Sequence, residues 1–254
     1  MPLLQLSGVT KRFGGLTAVS DLNMDLNEGE IRALIGPNGA GKTTTFNLIS
    51  GVYPVTSGKI FYQGKDITKL KPHQIAKMGL VRTFQLTVLY MDFTVLRSVM
   101  VARHLHSGLN TGKQLLGIRG RQETENKKKS LEIIEFLGLG DLKYELAWNL
   151  PHGHQRALGI ALALATEPKL LMLDEPVTGM TPVETEHMMG LIRKVRDSGV
   201  TILLVEHDMK AVMGLSDYIT VMDFGEKIAE GTPAEIAHNE MVIEAYLGRE
   251  ELVT

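Results

Sequence analysis

The residues of this chain with the clearest chemistry form a glycine-rich loop. Gly36-Pro37-Asn38-Gly39-Ala40-Gly41-Lys42-Thr43 fits the pattern G-x-x-x-x-G-K-[ST] between a predicted strand and a predicted helix. Glycines let backbone N–H groups face a phosphate, and the helix beginning at Lys42 adds the positive end of its dipole. We expect Lys42 to contact the terminal phosphates of a nucleotide, Thr43 to bind Mg²⁺ and Thr44 to contact the α-phosphate. The alternative is an accidental glycine-rich turn, which the flanking strand and helix disfavour.

Two adjacent carboxylates, Asp174 and Glu175, end an apolar run that starts at Leu170. Neighbouring residues of a strand face opposite sides, so the two acids can have different roles. We expect Asp174 to hold Mg²⁺ through water and Glu175 to act as general base toward the attacking water. Acids followed by Pro176 can simply terminate a buried strand, but with the glycine-rich loop upstream they indicate nucleotide hydrolysis.

The expected nucleotide is ATP. Guanine-specific proteins with such a loop usually carry Asn-Lys-x-Asp after a strand. Here Asn126-Lys127 is followed by Lys128 and Lys129, and the Asp is missing.

The composition is typical of an ordinary soluble globular protein, with 254 residues of which 44% are hydrophobic and 22% charged. The 27 Lys plus Arg against 29 Asp plus Glu leave no basic surplus for nucleic acid. The absence of cysteine excludes disulfides, thiolate zinc sites and Cys nucleophiles. Residues 1–11 lack the apolar core of a secretory signal, and the apolar run 159–165 is far shorter than the ~20 residues of a membrane span. Any membrane role is therefore expected to come through partners.

The elements that must position these groups alternate between strands and helices. Strands are predicted over residues 3–9, 22–26, 30–35, 58–62, 79–84, 170–173, 201–205 and 218–222, and helices over 42–49, 72–78 and 233–247. From about residue 94 to 150 the pattern is helical, and residues 223–226 are typical of a hairpin turn. Short apolar strands alternating with helices predict an α/β fold with a parallel sheet covered on both faces.

Together these residues resemble the ATP-binding cassette (ABC) family over nearly the whole chain. The resemblance implies a P-loop nucleotide-binding core with a mixed, mostly parallel sheet, an N-terminal antiparallel β subdomain and an inserted helical subdomain. It implies one ATPase domain over residues 1–254. Residues 1–93 and 166–254 would form the core, and about 94–165 the helical subdomain.

Three further residues gain a role from the resemblance. Gln85 is similar to the glutamine that couples Mg²⁺ and water to the transport subunit, and His207 to the switch histidine that contacts the γ-phosphate. Phe13 matches the aromatic residue that stacks on adenine. Each also has an ordinary alternative: a surface amide, a structural histidine and a core aromatic side chain.

The family's signature segment, usually Leu-Ser-Gly-Gly-Gln, is here Leu150-Pro151-His152-Gly153-His154. In the family this segment closes over the γ-phosphate held by a second subunit, so Gly153 would bind in trans. Pro151 lacks both the hydroxyl and the N–H of serine, and His154 replaces glutamine. Thr181 stands where the family often has Asp or Asn. Losing a hydrogen bond to a charged group is worth about 1.5–3 kcal/mol, so we expect slow ATP turnover.

Several stretches are similar to the ATPase subunits of importers for branched-chain and other hydrophobic amino acids. They are residues 81–85, 94–102, 205–213 and 245–248 and the loop 105–122. The resemblance implies a second ATPase subunit, identical or paralogous, two transmembrane permease subunits and, indirectly, a solute-binding protein. It places the chain at the cytoplasmic face of the inner membrane, where closure of the dimer around two ATP molecules would drive transport.

Two other functions remain open. A soluble cassette ATPase of a cluster-assembly or scaffold complex would share the motifs, although the importer-like stretches argue against it. A nucleotide-gated dimer module that binds ATP and hydrolyses it weakly is favoured by the altered signature.

Overall fold

Strands and helices alternate along the part of the chain that the computed structural model describes, residues 1–83, 92–106 and 119–247. The strands are β1 (Leu4–Phe13), β2 (Leu16–Leu26), β3 (Ile31–Ile35), β4 (Ser57–Tyr62), β5 (Lys65–Asp66), β6 (Leu80–Arg82), β7 (Leu170–Asp174), β8 (Thr201–Val205), β9 (Tyr218–Asp223) and β10 (Glu226–Gly231). The helices are α1 (Lys42–Ile49), α2 (Pro72–Lys77), α3 (Val95–His106), α4 (Arg119–Phe136), α5 (His152–Leu164), α6 (Pro182–Asp197), α7 (Met209–Leu215), α8 (Pro233–Ala237) and α9 (Glu240–Leu247). Each described helix is too short or too polar to cross a bilayer.

The strands form two sheets. The first is antiparallel, with the order β2-β1-β4-β5, and the second has the order β10-β9-β3-β8-β7-β6. In the second sheet β9, β3, β8, β7 and β6 pair in parallel, and only the edge strand β10 runs antiparallel, to β9. This is the mixed, mostly parallel sheet and the antiparallel N-terminal sheet that the sequence predicts. Because the five parallel strands end at one edge, the loops that follow them are neighbours.

The central sheet is buried on both faces, as its continuous apolar strands predict. In β3, Ile31, Ala33 and Ile35 pack into one core with the helices α3 to α7. Leu34 faces the other core, which includes the antiparallel sheet and α1. The helices α3, α4 and α5 contact one another and share the first core with the sheet.

Some elements differ from the sequence prediction. The strands β1 and β2 extend to the tight turn between Phe13 and Leu16, and their irregular register hides the alternation that a strand prediction needs. The short strand β5 and the edge strand β10 were not predicted, since β10 is polar for most of its length. Strand β6 ends at Arg82, and Phe84, the predicted end, lies outside the described residues.

A buried arginine fastens the central strands to the edge strand. Arg32 of β3, 4% exposed, forms ion pairs with Glu30 (2.7 Å) and with Glu230 of β10. Its guanidinium also lies 4.6 Å from the ring centre of Tyr218 on β9. One cation thus contacts two carboxylates, of which Glu230 is also paired with Lys227, and links three strands.

Replacing Arg32 with leucine should therefore destabilise the fold more than a typical surface change. Glu30 would lose its contact with this cation and Glu230 would keep only Lys227, and the loss of one partner from a buried ion pair costs about 3–5 kcal/mol. Urea unfolding followed by circular dichroism measures the effect. The control is Arg193→Leu, whose exposed pair with Glu186 (3.5 Å) should contribute less than about 1 kcal/mol. Equal losses in the two variants would contradict the role given to Arg32.

Candidate active site

The glycine-rich loop leaves β3 at Gly36 and enters α1 at Lys42, as the sequence predicts. Gly36 has φ 149° and Gly41 φ 101°. A Cβ atom on Gly36 would lie 2.0 Å from the carbonyl oxygen of Met222, and one on Gly41 would lie 2.5 Å from that of Ala18. The loop is therefore pressed against β9 and β2, and only glycine fits at these two positions.

Lys42 lies over the mouth of this loop. Its Nζ donates hydrogen bonds to the carbonyl oxygens of Gly36 (2.5 Å) and Pro37 (2.9 Å). Helix α1 has neither a side-chain cap at Gly41 nor an acidic residue in its first turn, so the positive end of its dipole is not neutralised locally. Thr43 is exposed and Thr44 half-buried. The loop thus gathers a cation, a helix N-terminus and two hydroxyl groups, which suits a polyphosphate.

The remaining residues of the glycine-rich loop differ in their exposure to solvent. Asn38 and Gly39 are exposed at the tip, Pro37 and Ala40 are buried, and the backbone N–H of Ala40 donates to the carbonyl oxygen of Pro37 (3.1 Å).

Tyr246 of α9 was not predicted to belong to the site. A hydrogen bond joins its hydroxyl to the backbone of Gly36, and burial raises the pKa of this phenol to about 12. A tyrosine in the C-terminal helix gives no sequence signal of contact with a loop two hundred residues earlier.

Asp174 ends β7 and forms a buried ion pair that the sequence did not reveal. Its Oδ2 lies 2.7 Å from Nη2 of Arg82 at the end of β6, and both side chains are less than a tenth exposed. Nη1 of Arg82 donates to Oδ1 of Asn47 on α1 (2.6 Å), and the guanidinium lies 5.4 Å from the ring centre of Phe46. Arg82 therefore holds the Asp174 carboxylate against the helix that follows the glycine-rich loop.

Glu175 turns away from Asp174 because its backbone is left-handed, with φ 48°. Its N–H donates to the carbonyl oxygen of Val205 (2.9 Å), which ties the turn to β8. Its carboxylate accepts a hydrogen bond from the Thr178 hydroxyl (3.4 Å) and lies 3.9 Å from Nδ1 of His207. Such a conformation costs about 1–3 kcal/mol in a residue with a side chain and concentrates at functional sites. The structure thus brings Glu175 and His207 together.

The loop after β8 contains His207 next to a buried acid. Glu206 is 1% exposed, whereas the His207 side chain is 62% exposed. The Glu206 carboxylate accepts hydrogen bonds from the backbone N–H groups of Val177 (2.9 Å), His207 (2.9 Å) and Asp208 (3.2 Å). The sequence analysis missed this residue, although an acid that directly follows an apolar strand is a recognisable signal.

Phe13 lies at the end of β1 and is 43% exposed. Its ring meets that of Tyr53 edge-on at 5.4 Å, and Nζ of Lys11 lies 4.8 Å from its centre. Lys11 is itself fixed by a hydrogen bond to the carbonyl oxygen of Pro54 (2.7 Å). A half-exposed, supported ring is what base stacking needs. Its strand pairs with β2, whose Ala18 borders the glycine-rich loop.

The signature segment lies at the start of α5, where Pro151 is the N-cap with φ −54°. A Cβ atom on Gly153 would lie 3.7 Å from Oε1 of Glu184, and His152 lies equally close to the corresponding position of Gly179. These neighbours belong to the loop after β7 and to α6, not to the glycine-rich loop. A role for Gly153 in trans therefore stays a prediction.

Thr181 and Glu184 form a capping box at the start of α6. Hydrogen bonds from Thr181, chiefly from its backbone N–H and secondly from its hydroxyl, hold the pKa of Glu184 below its ordinary value. The threonine, which departs from the family's common Asp or Asn, thus caps this helix. Gln85, the remaining predicted site residue, lies outside the described residues.

The described residues contain no cluster of three or more His, Cys, Asp or Glu side chains that could hold a metal ion. Mg²⁺ does not require such a cluster, because nucleotide sites bind it through one or two protein oxygens together with phosphate oxygens and water. The exposed hydroxyl of Thr43 and the fixed carboxylate of Asp174 are oxygen ligands of this kind. The residues present fit the ion.

Comparison with known proteins defines the class. The family model described as "ABC transporter" matches residues 19–178, and "Branched-chain amino acid ATP-binding cassette transporter" matches residues 226–251. The crystal structure of the ADP conformation of MJ1267, an ATP-binding cassette of an ABC transporter, superposes with a TM-score of 0.87 at 30% identity, covering 98% of this chain and 99% of that one. The chain belongs to the ABC transporter family, as one of its ATP-binding cassettes.

Curated relatives narrow the comparison within that family. The "High-affinity branched-chain amino acid transport ATP-binding protein BraF" of Pseudomonas aeruginosa is 43% identical, over 97% of this chain and 98% of the relative. The protein of the same description named LivG in Escherichia coli is 45% identical with the same coverage. The resemblance inferred from the sequence is confirmed.

The close packing of the loop predicts that Gly36→Ala will abolish nucleotide binding. The new methyl group would collide with the Met222 carbonyl oxygen, so the loop must move away from β9. Isothermal titration calorimetry with Mg-ATP measures the loss. The control is Gly39→Ala, at φ 83° with no other atom within 4 Å of the added Cβ, which bears only the backbone strain of about 1–2 kcal/mol. Normal binding by Gly36→Ala would show that the loop tolerates displacement.

Proposed function

We propose that the chain is the ATP-hydrolysing subunit of an importer for branched-chain or other hydrophobic amino acids. One observation carries the hydrolytic part: the glycine-rich loop, Glu175 and His207 follow three adjacent parallel strands, β3, β7 and β8, at one edge of the sheet. The substrate class is supported by the names of BraF and LivG, which are similar along almost their full length. In this proposal residues 1–93 and 166–254 act as the core and 94–165 as the helical part of one ATPase domain.

Binding of ATP uses groups that are already in place. The ammonium of Lys42 would exchange its two backbone carbonyl contacts for the terminal phosphates, which carry more charge and bind an ammonium more strongly. Phe13, braced by Tyr53 and Lys11, would stack on adenine. Thr43 and Asp174 would hold Mg²⁺, together with Gln85, and when bound this ion neutralises charge that develops on the phosphates.

Hydrolysis needs an attacking water that is oriented and relieved of a proton. The Glu175 carboxylate is 28% exposed, so it is open to such a water, and the Thr178 hydroxyl limits its rotation. His207, 3.9 Å away, would donate toward the γ-phosphate on the same side. The chemistry is positioning and electrostatic stabilisation, with no covalent intermediate on the protein.

The proposal includes a second copy or a paralogue. A Cβ atom on Gly153 would meet Glu184 of α6 and no atom of the glycine-rich loop, so its backbone N–H would serve the phosphates held by the other subunit. Closure of this dimer around two ATP molecules would move the membrane subunits, and hydrolysis would reopen it. The site of action would be the cytoplasmic face of the cell membrane.

An exposed apolar patch supports a protein partner on the helical part. Tyr144, Leu146 and Trp148 are 68%, 41% and 71% exposed and alternate along one segment. Leu146 forms a β-bridge with Thr94, and the backbone N–H of Ala147 donates to the carbonyl oxygen of Phe93 (3.0 Å), so the patch adjoins the start of α3. Exposed aromatic side chains of this kind mark protein–protein contacts, and the proposed partner is a permease subunit.

A nucleotide-gated dimer with weak hydrolysis is the competing function, favoured by Pro151 at the cap of α5. Such a dimer would bind ATP as an ATPase does, but it would hydrolyse the bound ATP only weakly. Substitution of the general base separates the two.

Glu175→Gln in the assembled complex should lower the rate of ATP hydrolysis by about 100-fold or more, because the amide cannot accept the proton of water. The affinity for ATP should change little, since Lys42 and the loop are intact. Single-turnover assays with radiolabelled ATP measure both quantities. Glu186→Gln, on the exposed side of α6, is the control and should behave as wild type. A wild-type rate as low as that of Glu175→Gln would favour the gated dimer instead.

Trp148→Ala should weaken association with the permease subunits by roughly tenfold or more, as loss of an aromatic hot spot does. ATP binding by the isolated chain should not change. Co-purification from detergent-solubilised membranes, quantified against permease concentration, gives the affinity. The control is Met241→Ala, which removes an exposed apolar side chain on α9. If Trp148→Ala associated with the permease subunits as strongly as wild type, the patch would not belong to the interface.

The substrate class needs a separate test, which is leucine uptake by vesicles reconstituted with the complex.

A further inference from the structure

Glu206 is a buried carboxylate that has no role in the proposed reaction as described so far. Its side chain is 0% exposed, between β8 and the exposed His207. Removing a carboxylate from water is costly unless it is paired or hydrogen-bonded. The Glu206 carboxylate accepts hydrogen bonds from three backbone N–H groups, and these bonds supply that compensation. The three N–H groups belong to two different loops.

The two carboxylate oxygens divide their partners between these loops. Oε1 accepts from Val177, two residues after Glu175, while Oε2 accepts from His207 and Asp208. Hydrogen bonds to an ionised acceptor are about twice as strong as neutral ones. Glu206 is therefore a clamp between the turn that presents Glu175 and the turn that presents His207.

The side chains of Glu175 and His207 lie on two different turns, and they are 28% and 62% exposed. Their separation of 3.9 Å therefore requires the backbones of the two turns to be held at a fixed spacing. The same Glu206 oxygen that accepts from the His207 backbone lies 3.9 Å from Nδ1 of the His207 ring.

We infer that Glu206 is a positioning residue for hydrolysis, which fixes the general base and the histidine at their working distance by anchoring both turns through backbone amides. The inference rests on the proposed function. It assigns Glu206 no contact with the nucleotide, so its loss should affect turnover and not ATP binding.

The test compares Glu206→Ala and Glu206→Gln in the assembled complex. Alanine removes both anchors, and we expect kcat to fall about tenfold or more while KM for ATP changes by less than about twofold. Glutamine keeps one carbonyl oxygen, but its NH₂ group cannot accept from the other turn. It should therefore retain one anchor and give an intermediate kcat.

A matched control separates positioning from simple loss of stability. Oδ2 of Asp217 accepts a hydrogen bond from the backbone N–H of Ile31 (2.8 Å). This bond lies at the opposite end of β3, away from the site. Asp217→Ala removes this acceptor and should lower the unfolding midpoint without changing kcat or KM. If Asp217→Ala reduces kcat as much as Glu206→Ala does, Glu206 is structural only and the inference is overturned.

Amide hydrogen exchange of the isolated chain gives a readout that does not depend on activity. Glu206→Ala should speed exchange at Val177, His207 and Asp208 and leave the amides of β8 protected; general loss of protection would overturn the inference. Wild-type kcat in both Glu206 variants would also overturn it while the proposed function stands. A wild-type complex without ATPase activity would instead overturn the proposed function, and the inference with it.

Discussion

The site depends on how the polar groups at the carboxyl edge of a buried parallel sheet are satisfied. Strands β3, β8, β7 and β6 end side by side with apolar layers above and below. The charges that follow them lie close to a medium that penalises an unpaired ion. Each charged group at this edge therefore has a specific partner, and these partners determine where the reactive groups point.

The two adjacent acids show this division. Asp174 pairs with Arg82 and is almost fully buried, while Glu175 turns through a left-handed residue toward solvent and His207. The ion pair neutralises the acid nearest the core, and the strained turn delivers the next one to water. Asn47 extends the pair to α1, so the helix that follows the glycine-rich loop is tied to the end of β6. The segment with Gln85 begins three residues after Arg82.

The sequence predicts the parts of the site that local geometry requires and misses those made by distant contacts. The glycines, Lys42 and the acid pair have spacings that only a strand–loop–helix or a strand end explains. Arg82 looks ordinary in the sequence, and the position of Glu206 after an apolar strand does not reveal its partners, because both roles come from which strands are neighbours in the sheet. The order of β3, β8 and β7 is not written in any short motif. The edge strand β10 was missed for a related reason, since pairing with β9 and the Arg32 ion pairs compensate for its polar composition.

The signature segment shows how a departure from a family pattern can be neutral for the fold. Pro151 occupies the N-cap of α5 with φ −54° and ψ 152°, values that a proline ring favours, and a helix does not use the N–H of its N-cap residue. Proline therefore costs α5 nothing, and the missing N–H and hydroxyl matter only to a ligand that approaches the helix start. Gln155 meanwhile ties the segment to the carbonyl oxygen of Leu150 (3.0 Å), so the helix start stays ordered without serine. The start of α5 is thus independent of the serine, which leaves ligand contact as the property that this substitution can change.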